Sequence, residues 1–400
     1  MFTGGTLNNA GLSSTIYGNR KITFDMLGLY VHIPFCKQKC PYCSFFSVKY
    51  DAGLADKYID ALIKHAEQFK NEKIVSIYVG GGTPSVLSLK QIQKLLQALN
   101  AIFNLSAVQE FTFEANPESV SKEKLCLLKQ FGVTRLSIGL QSVEDKPLKF
   151  LGRIHDFKNF CDVYNAARKE GFDNINIDLI YGLPNQTLKD WEQILKRTLL
   201  FKSEHLSLYP LSIEESTPFY KNDIITDDDI QRDMYDETTE ILANNGYSHY
   251  EISNWSKKEK ESVHNTNYWR NLEYIGLGAG AAGYLEKRRY KNTENIEKYI
   301  ELCLLLQEKK EYCSKRHDNL SLLKIENEYI CDKLYKTETI MLGLRLLNEG
   351  IDINFFNNPK HHNALSECLK NNLLKMKNGK IKLAKEYVFV FNQIISKFIA

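Results

Sequence analysis

From residue 27 to about residue 211 the chain repeats one pattern, a short apolar run rich in β-branched residues followed by a longer stretch with apolar residues three and four apart. The short runs are LGLYVHI (27–33), IVSIYV (74–79), EFTFE (110–114), TRLSIGL (134–140), NINIDLI (174–180) and HLSLYPL (205–211). The helical stretches between them fall near 54–69, 88–103, 121–131, 156–171 and 187–202. Runs apolar on both faces belong to parallel strands covered by helices, so the fold class is α/β. Polar and glycine-rich stretches follow each strand: HIPFC, GGGTPS, EANPES, GLQS, DLIYGLPNQT and YPLS. Chemistry spread over the C-terminal ends of six successive strands favours a partial (β/α)6 barrel of TIM type over a doubly wound sheet, which would gather it at one switch point.

The pattern changes after residue 211. A charged helix is expected near 227–245, then HNTNYWRNLEYIGLGAGAAGYL, and from about 290 a helical, more basic region. An amphipathic helix is expected over 337–347, a hairpin at Asn378-Gly379 and a last helix through FNQIISKFI. These features divide the chain into a flexible extension (1–26), a barrel (27–215), a connecting segment (216–290) and a mostly helical, winged-helix-like C-terminal domain (291–400), with the last boundary near 286–295.

Three of the nine cysteines, Cys36, Cys40 and Cys43, crowd into CKQKCPYC after the first strand. Thiolates are soft ligands for zinc, Cu(I) or iron–sulfur clusters. A closed zinc site takes four ligands, and no second cysteine pair follows at usable spacing. His32 precedes the group on a strand. Three thiolates on one loop suit a [4Fe–4S] cluster with one iron left open. The scattered cysteines Cys126, Cys161, Cys303, Cys313, Cys331 and Cys368 are expected to act as small buried hydrophobes, which suits a reducing, cytoplasmic compartment.

Charge and hydropathy narrow the partners. A net charge of +3 does not by itself argue for nucleic acid. The C-terminal stretch 370–400 holds seven Lys and one Glu, which reads as a solvated or partner-docking face. No apolar run reaches the roughly 20 residues of a membrane span, and the first 25 residues lack a signal-peptide core. No G-x4-G-K-[ST] phosphate loop occurs.

C-x3-C-x2-C after a first strand resembles the signature of the radical S-adenosylmethionine superfamily. YVHIPFC, GGGTPS, EANPES, RLSIGLQS, DLIYGLPNQT, HNTNYW and GLGAGA together resemble its coproporphyrinogen III oxidase-like branch, across about residues 27–400. Two groups of that branch compete: the oxygen-independent coproporphyrinogen III dehydrogenase of heme synthesis and the HemW-type heme chaperones. The dehydrogenase carries a fourth cysteine where this chain has Phe45, and a long N-terminal arm where this chain has about 26 residues before the first strand. HNTNYW is similar to the H-N-x-x-Y-W motif of the chaperones.

The resemblance therefore implies three cofactors: a [4Fe–4S] cluster on Cys36, Cys40 and Cys43; S-adenosylmethionine among Tyr30, Tyr42, Gly81, Gly82, Thr83, Glu114, Gln141, Arg153 and Asp178; and heme at His264, Asn265, Tyr268 and Trp269. The expected function is a heme chaperone that delivers heme to respiratory acceptor proteins, with the dehydrogenase as the alternative. Whether radical chemistry occurs stays open at this point. Besides heme and its acceptors, the reading leaves room for peripheral membrane contact and a homodimer, and it includes no nucleic acid.

Overall fold

The computed structural model describes residues 27–70, 72–309 and 323–399, together with an antiparallel strand pair, Thr15–Tyr17 with Arg20–Ile22. Apart from that pair, the expected extension over 1–26 lies outside the described residues, as does Cys313.

The six expected strands form as β1 (Leu27–Ile33), β2 (Ile74–Gly81), β3 (Glu110–Ala115), β4 (Arg135–Gln141), β5 (Ile175–Tyr181) and β6 (His205–Pro210). Between them lie α1 (Ala52–Glu67), α2 (Leu89–Ile102), α3 (Lys122–Gln130), α4 (Phe157–Lys169) and α5 (Leu188–Leu199). Each helix starts where a side chain accepts a hydrogen bond from an otherwise unpaired N–H. Asp51, Ser88, Ser121, Asp156 and Thr187 do this, with reciprocal capping boxes at Ser88, Asp156 and Thr187. Such a cap is worth about 1 kcal/mol.

Side chains alternate across the parallel sheet. One set, including Leu29, Val31, Ile77, Val79, Phe113, Leu136, Ile138, Ile177, Leu179, Leu206 and Leu208, is buried in the apolar core with helix residues such as Leu62, Leu95 and Leu96. Burial of each such side chain contributes about 1.5–3 kcal/mol. The other set is largely polar: Tyr78, Glu114, Ser137, Asp178 and Ser207 face an interior cavity.

Beyond β6 come α6 (Asp228–Asn244), β7 (Ser248–Glu251), β8 (Asn254–Ser256) and α7 (Val263–Trp269). Then follow β9 (Tyr274–Leu277), β10 (Ala282–Leu285), β11 (Arg288–Asn292), α8 (Ile296–Lys309) and β12 (Lys324–Tyr329). All twelve strands join one sheet, in the order β7-β8-β6-β5-β4-β3-β2-β1-β9-β10-β11-β12. β9 lies parallel to β1, pairing Tyr274 with Gly28 and Leu277 with Val31, so the parallel part has a seventh strand beyond the six expected. The sheet also runs on past the 286–295 stretch, through β11 and β12. The helical reading from residue 290 holds for α8 but not for β12, whose charged KIENEY lacks the alternation that marks a half-buried strand.

The remaining elements are α9 (Asp332–Gly343), β13 (Ile351–Asp352), α10 (Pro359–Lys370), β14 (Leu374–Lys377), β15 (Lys380–Leu383) and α11 (Phe391–Ile399). β14 and β15 form the expected hairpin, with φ of 52° at Asn378 and 71° at Gly379, as a two-residue turn of this kind requires. α9 begins five residues before the expected 337 and ends at Gly343, where the chain turns so that Leu346 bridges to Glu251 at the end of β7. Two scattered cysteines, Cys303 and Cys368, are buried as expected, whereas Cys126 and Cys161 are half-buried and Cys331 is exposed at the start of α9. No helix among the described residues is long and apolar enough to cross a membrane.

Candidate functional site

The loop after β1 carries the three clustered cysteines over the C-terminal rim of the sheet. It is pinned at both ends by Val48 N donating to Pro34 O at 2.7 Å and Tyr50 N donating to Cys36 O at 2.8 Å. Within it, Cys43 N donates to Cys40 O at 3.1 Å. Cys36, Cys40 and Cys43 are free, half-buried and line one cavity of about 590 Å³. Thr83 Oγ1 lies 3.5 Å from Cys36 Sγ, and Arg153 Nη1 points at Cys40 Sγ from 3.7 Å. Lys37 Nζ donates to Glu118 O at 2.7 Å, which ties the loop to the segment after β3.

Gly81 N donates to Glu114 Oε2, Gly82 N to Ile33 O and Thr83 N to Phe35 O, so these amides are spent on the protein itself. A Cβ at Gly82 would lie 2.8 Å from Phe35 O and 3.1 Å from Cys36 Sγ; one at Gly81, where φ is 114°, would lie 2.6 Å from the His32 ring. Glycine is needed here to seat the cysteine loop against β2.

Below the rim the cavity wall is polar and ionisable. Glu114 accepts from the Tyr78 hydroxyl at 2.6 Å, and burial pushes its carboxyl up to about 7, with the nearby Asp178 adding to the rise. Asp178 accepts from Ser137 and Asn176, and burial raises it too. Arg153 Nη2 donates to Asn116 Oδ1 at 2.7 Å. Gln141 ends β4 with φ of 68°, a left-handed conformation for a non-glycine residue, and its side chain lines the cavity. Tyr42, Gly81, Gly82, Thr83, Glu114, Gln141, Arg153 and Asp178 thus meet at one place. Tyr30 does not line that cavity; its hydroxyl is 2.8 Å from His32 Nδ1, deeper along β1. His32 also contacts Phe46 O through Nε2, and burial lowers its pKa to about 4.

HNTNYW forms α7, which is docked into the sheet rather than displayed on the surface. Glu110 caps its start, accepting from Ser262 Oγ, Val263 N and His264 N. His264 is 1% exposed, with Nδ1 2.9 Å from Ser76 Oγ and Nε2 2.8 Å from the Tyr268 hydroxyl. Burial, then the charge of Arg135, lowers its pKa to about 3. Trp269 lies under the Arg345 guanidinium, 4.2 Å from the ring centroid. Of the four residues expected around heme, Asn265 alone lines the cavity.

Arg135, Asn116, Asn176, Ser207 and Tyr209 line the cavity without having been singled out. Their signal is a polar residue at every second position inside an apolar strand, as in Arg135, Ser137 and Gln141, or Asn176 and Asp178.

The donor set fits the group that the cysteine spacing suggests. Among the described residues no three His, Cys, Asp or Glu side chains converge as ligands of one ion. Cys36, Cys40 and Cys43 bring three soft thiols from one loop to one cavity, a donor set suited to three corners of an iron–sulfur cluster.

Residues 30–198 match the family model described as Radical SAM superfamily. The chain is 36% identical over 382 residues to "Heme chaperone HemW" of Lactococcus lactis, covering 92% of this chain and 96% of that one. It is 39% identical over 287 residues to the Bacillus subtilis protein of the same name, covering 69% of this chain and 76% of that one. In fold it is similar to the coproporphyrinogen III oxidase HemN of Escherichia coli, a radical SAM enzyme, with a TM-score of 0.78 at 22% identity over 94% of this chain and 90% of that one. The open parallel sheet with its cysteine loop is thus the radical SAM fold. Within that superfamily, the chain belongs to the HemW heme chaperone family.

Proposed function

We propose that this protein is a heme chaperone that binds heme, a [4Fe–4S] cluster and S-adenosylmethionine, and passes heme to respiratory acceptor proteins. The observation that carries the reading is the near end-to-end similarity to a heme chaperone, 96% of whose length is covered. Cys36, Cys40 and Cys43 are the residues that would hold the cluster. When bound, the cluster and S-adenosylmethionine supply one-electron chemistry.

The chain's own residues prepare the place. Arg153 offsets the negative charge that three thiolates bring to the loop. Glu114, with its carboxyl near 7, is poised between acceptor and donor at neutral pH. Gln141 and Asp178 offer further polar partners. Phe45, 71% exposed, and Tyr209, 41% exposed, add apolar ring surface to the same cavity. Asn265 is the member of HNTNYW that reaches the same space, while His264 and Tyr268 hold α7 in place.

The test is a titration of the anaerobically reconstituted protein with hemin. A shifted Soret band without turnover of coproporphyrinogen III is the expected result. Turnover with 5′-deoxyadenosine formed in step, and no hemin binding, would assign the protein to the decarboxylating enzymes instead.

A further inference from the structure

Arg135 opens β4 and lines the cavity, yet it is 1% exposed. Its Nε and Nη1 are buried with no hydrogen-bond partner among the described residues. An unpaired guanidinium in such a place costs several kcal/mol, and natural interiors rarely keep one without a use. The two nearby carboxylates do not pair with it. Glu114 is occupied by Tyr78 and Gly81, and Asp178 by Ser137 and Asn176. Both feel Arg135 only as a neighbouring charge, and no ion pair to Arg135 forms among the described residues.

Arg135 pairs across the sheet with Thr112, two residues beyond the Glu110 that caps the start of α7. Asn265 of α7 lines the cavity. Its backbone N–H is used by Ser262 Oγ, but its side-chain amide has no partner among the described residues. An unsatisfied guanidinium and a neutral amide thus lie against the wall of one space.

We propose that Arg135, assisted by the side-chain amide of Asn265, receives a carboxylate of the cavity's ligand, namely a propionate of a tetrapyrrole. This rests on the heme reading above. A guanidinium matches a planar carboxylate in a two-point contact. Glu114 and Asp178 close by would repel a doubly charged phosphate but tolerate a single charge already balanced by Arg135. The methionyl carboxylate of S-adenosylmethionine is a poorer fit, because it belongs at the cysteine rim. Arg135 starts its strand six residues before Gln141 at that rim, about 20 Å along a strand.

The test uses the full chain carrying its cluster, with hemin and hemin dimethyl ester as probes. The wild-type chain should bind hemin about ten- to a hundredfold tighter than the ester, the worth of one charge-assisted contact. Arg135→Gln should remove most of that preference by weakening hemin and not the ester, and Asn265→Ala should reduce it by less. Equal binding of the two probes by the wild-type chain overturns the proposal while leaving the heme reading in place. That result needs no variant, so it stands even where Arg135→Gln does not fold. Binding of neither probe overturns the heme reading along with it. Loss of S-adenosylmethionine binding in Arg135→Gln with the ester preference intact would assign the carboxylate to the nucleotide and overturn the proposal as well.

Discussion

The Nε2 of His264 stands 2.8 Å from the hydroxyl of Tyr268, one turn further along α7, while its Nδ1 meets Ser76 Oγ on β2. The ring therefore ties the helix to the sheet through Nδ1 and braces the helix itself through Nε2. His264→Leu leaves two hydroxyls without this partner and should destabilise the protein by about 2–6 kcal/mol, at roughly 1–3 kcal/mol per buried group stranded. Denaturant unfolding of the apoprotein measures this. An unchanged midpoint together with lost heme binding would instead make the imidazole a free-standing ligand.

Two of the buried titratable groups respond to acid in opposite senses, beside His32, His65, His205 and His249, which burial lowers as well. His264, ordinarily near 6.5, is held at about 3 by burial and then by Arg135. Below 6.5 the unfolded chain takes up a proton that the folded chain refuses, so stability falls with pH by up to about 1.4 kcal/mol per unit. Glu114 is raised from 4.5 to about 7 by burial, so between those values the folded state holds the proton more tightly and stability falls as pH rises. The two oppose each other between 4.5 and 6.5. Unfolding curves at pH 5 and 6 should show His264→Asn shifting the slope by about one proton in one direction and Glu114→Gln shifting it in the other.

Glu251 is fully buried and pairs with Arg345 at 3.3 Å; Arg345 in turn covers the Trp269 ring. This pair joins the end of β7 to the segment after α9. Arg345→Ala leaves a buried carboxylate without its counter-charge, and the expected loss is about 3–5 kcal/mol. The double variant Glu251→Gln with Arg345→Met should recover part of it. A double-mutant cycle by denaturant unfolding checks both figures.

Gly82→Ala pushes a methyl against Phe35 O and the Cys36 thiol. The strand below is well packed, so the cysteine loop should yield first. We expect about 1–3 kcal/mol of lost stability and reduced iron content after reconstitution, read by iron and sulfide assay.

Cys40→Ala should abolish the brown cluster absorbance and leave the barrel folded, because the loop adds little to the apolar core. Far-ultraviolet circular dichroism and a thermal midpoint close to that of the apo wild-type chain are the expected readings. Unfolding in this variant would make the cluster a structural staple.

Much of the barrel was legible from short local signals. LGLYVHI and NINIDLI carry aliphatic residues at every second position, and Ser88, Asp156 and Thr187 mark helix starts within a residue or two. The cysteine loop was legible because it follows a recognisable strand and Gln141 because it ends one, whereas Glu114 and Asp178 lie within their strands and Arg153 beyond a short helix, so their place on one cavity wall was suggested by resemblance and not by position. β9 was not, since YIGL is four residues long and its pairing with β1 is fixed by contacts far away in sequence. β12 carries no apolar alternation because it is a polar edge. HNTNYW was singled out by resemblance and not by a local signal, and the structure places His264 against the hydroxyls of Ser76 and Tyr268, with Asn265 on the cavity wall.

The placement of β9 beside β1 bears on how the protein is made. On the ribosome, β1 gains β2 early but its other edge stays bare until residue 277 has been synthesised, some 240 residues after the cysteines. Contacts so distant in sequence form slowly, and an uncovered central strand invites pairing with the wrong chain. Expression slowed near residue 270 should therefore raise aggregation more than slowing near residue 350.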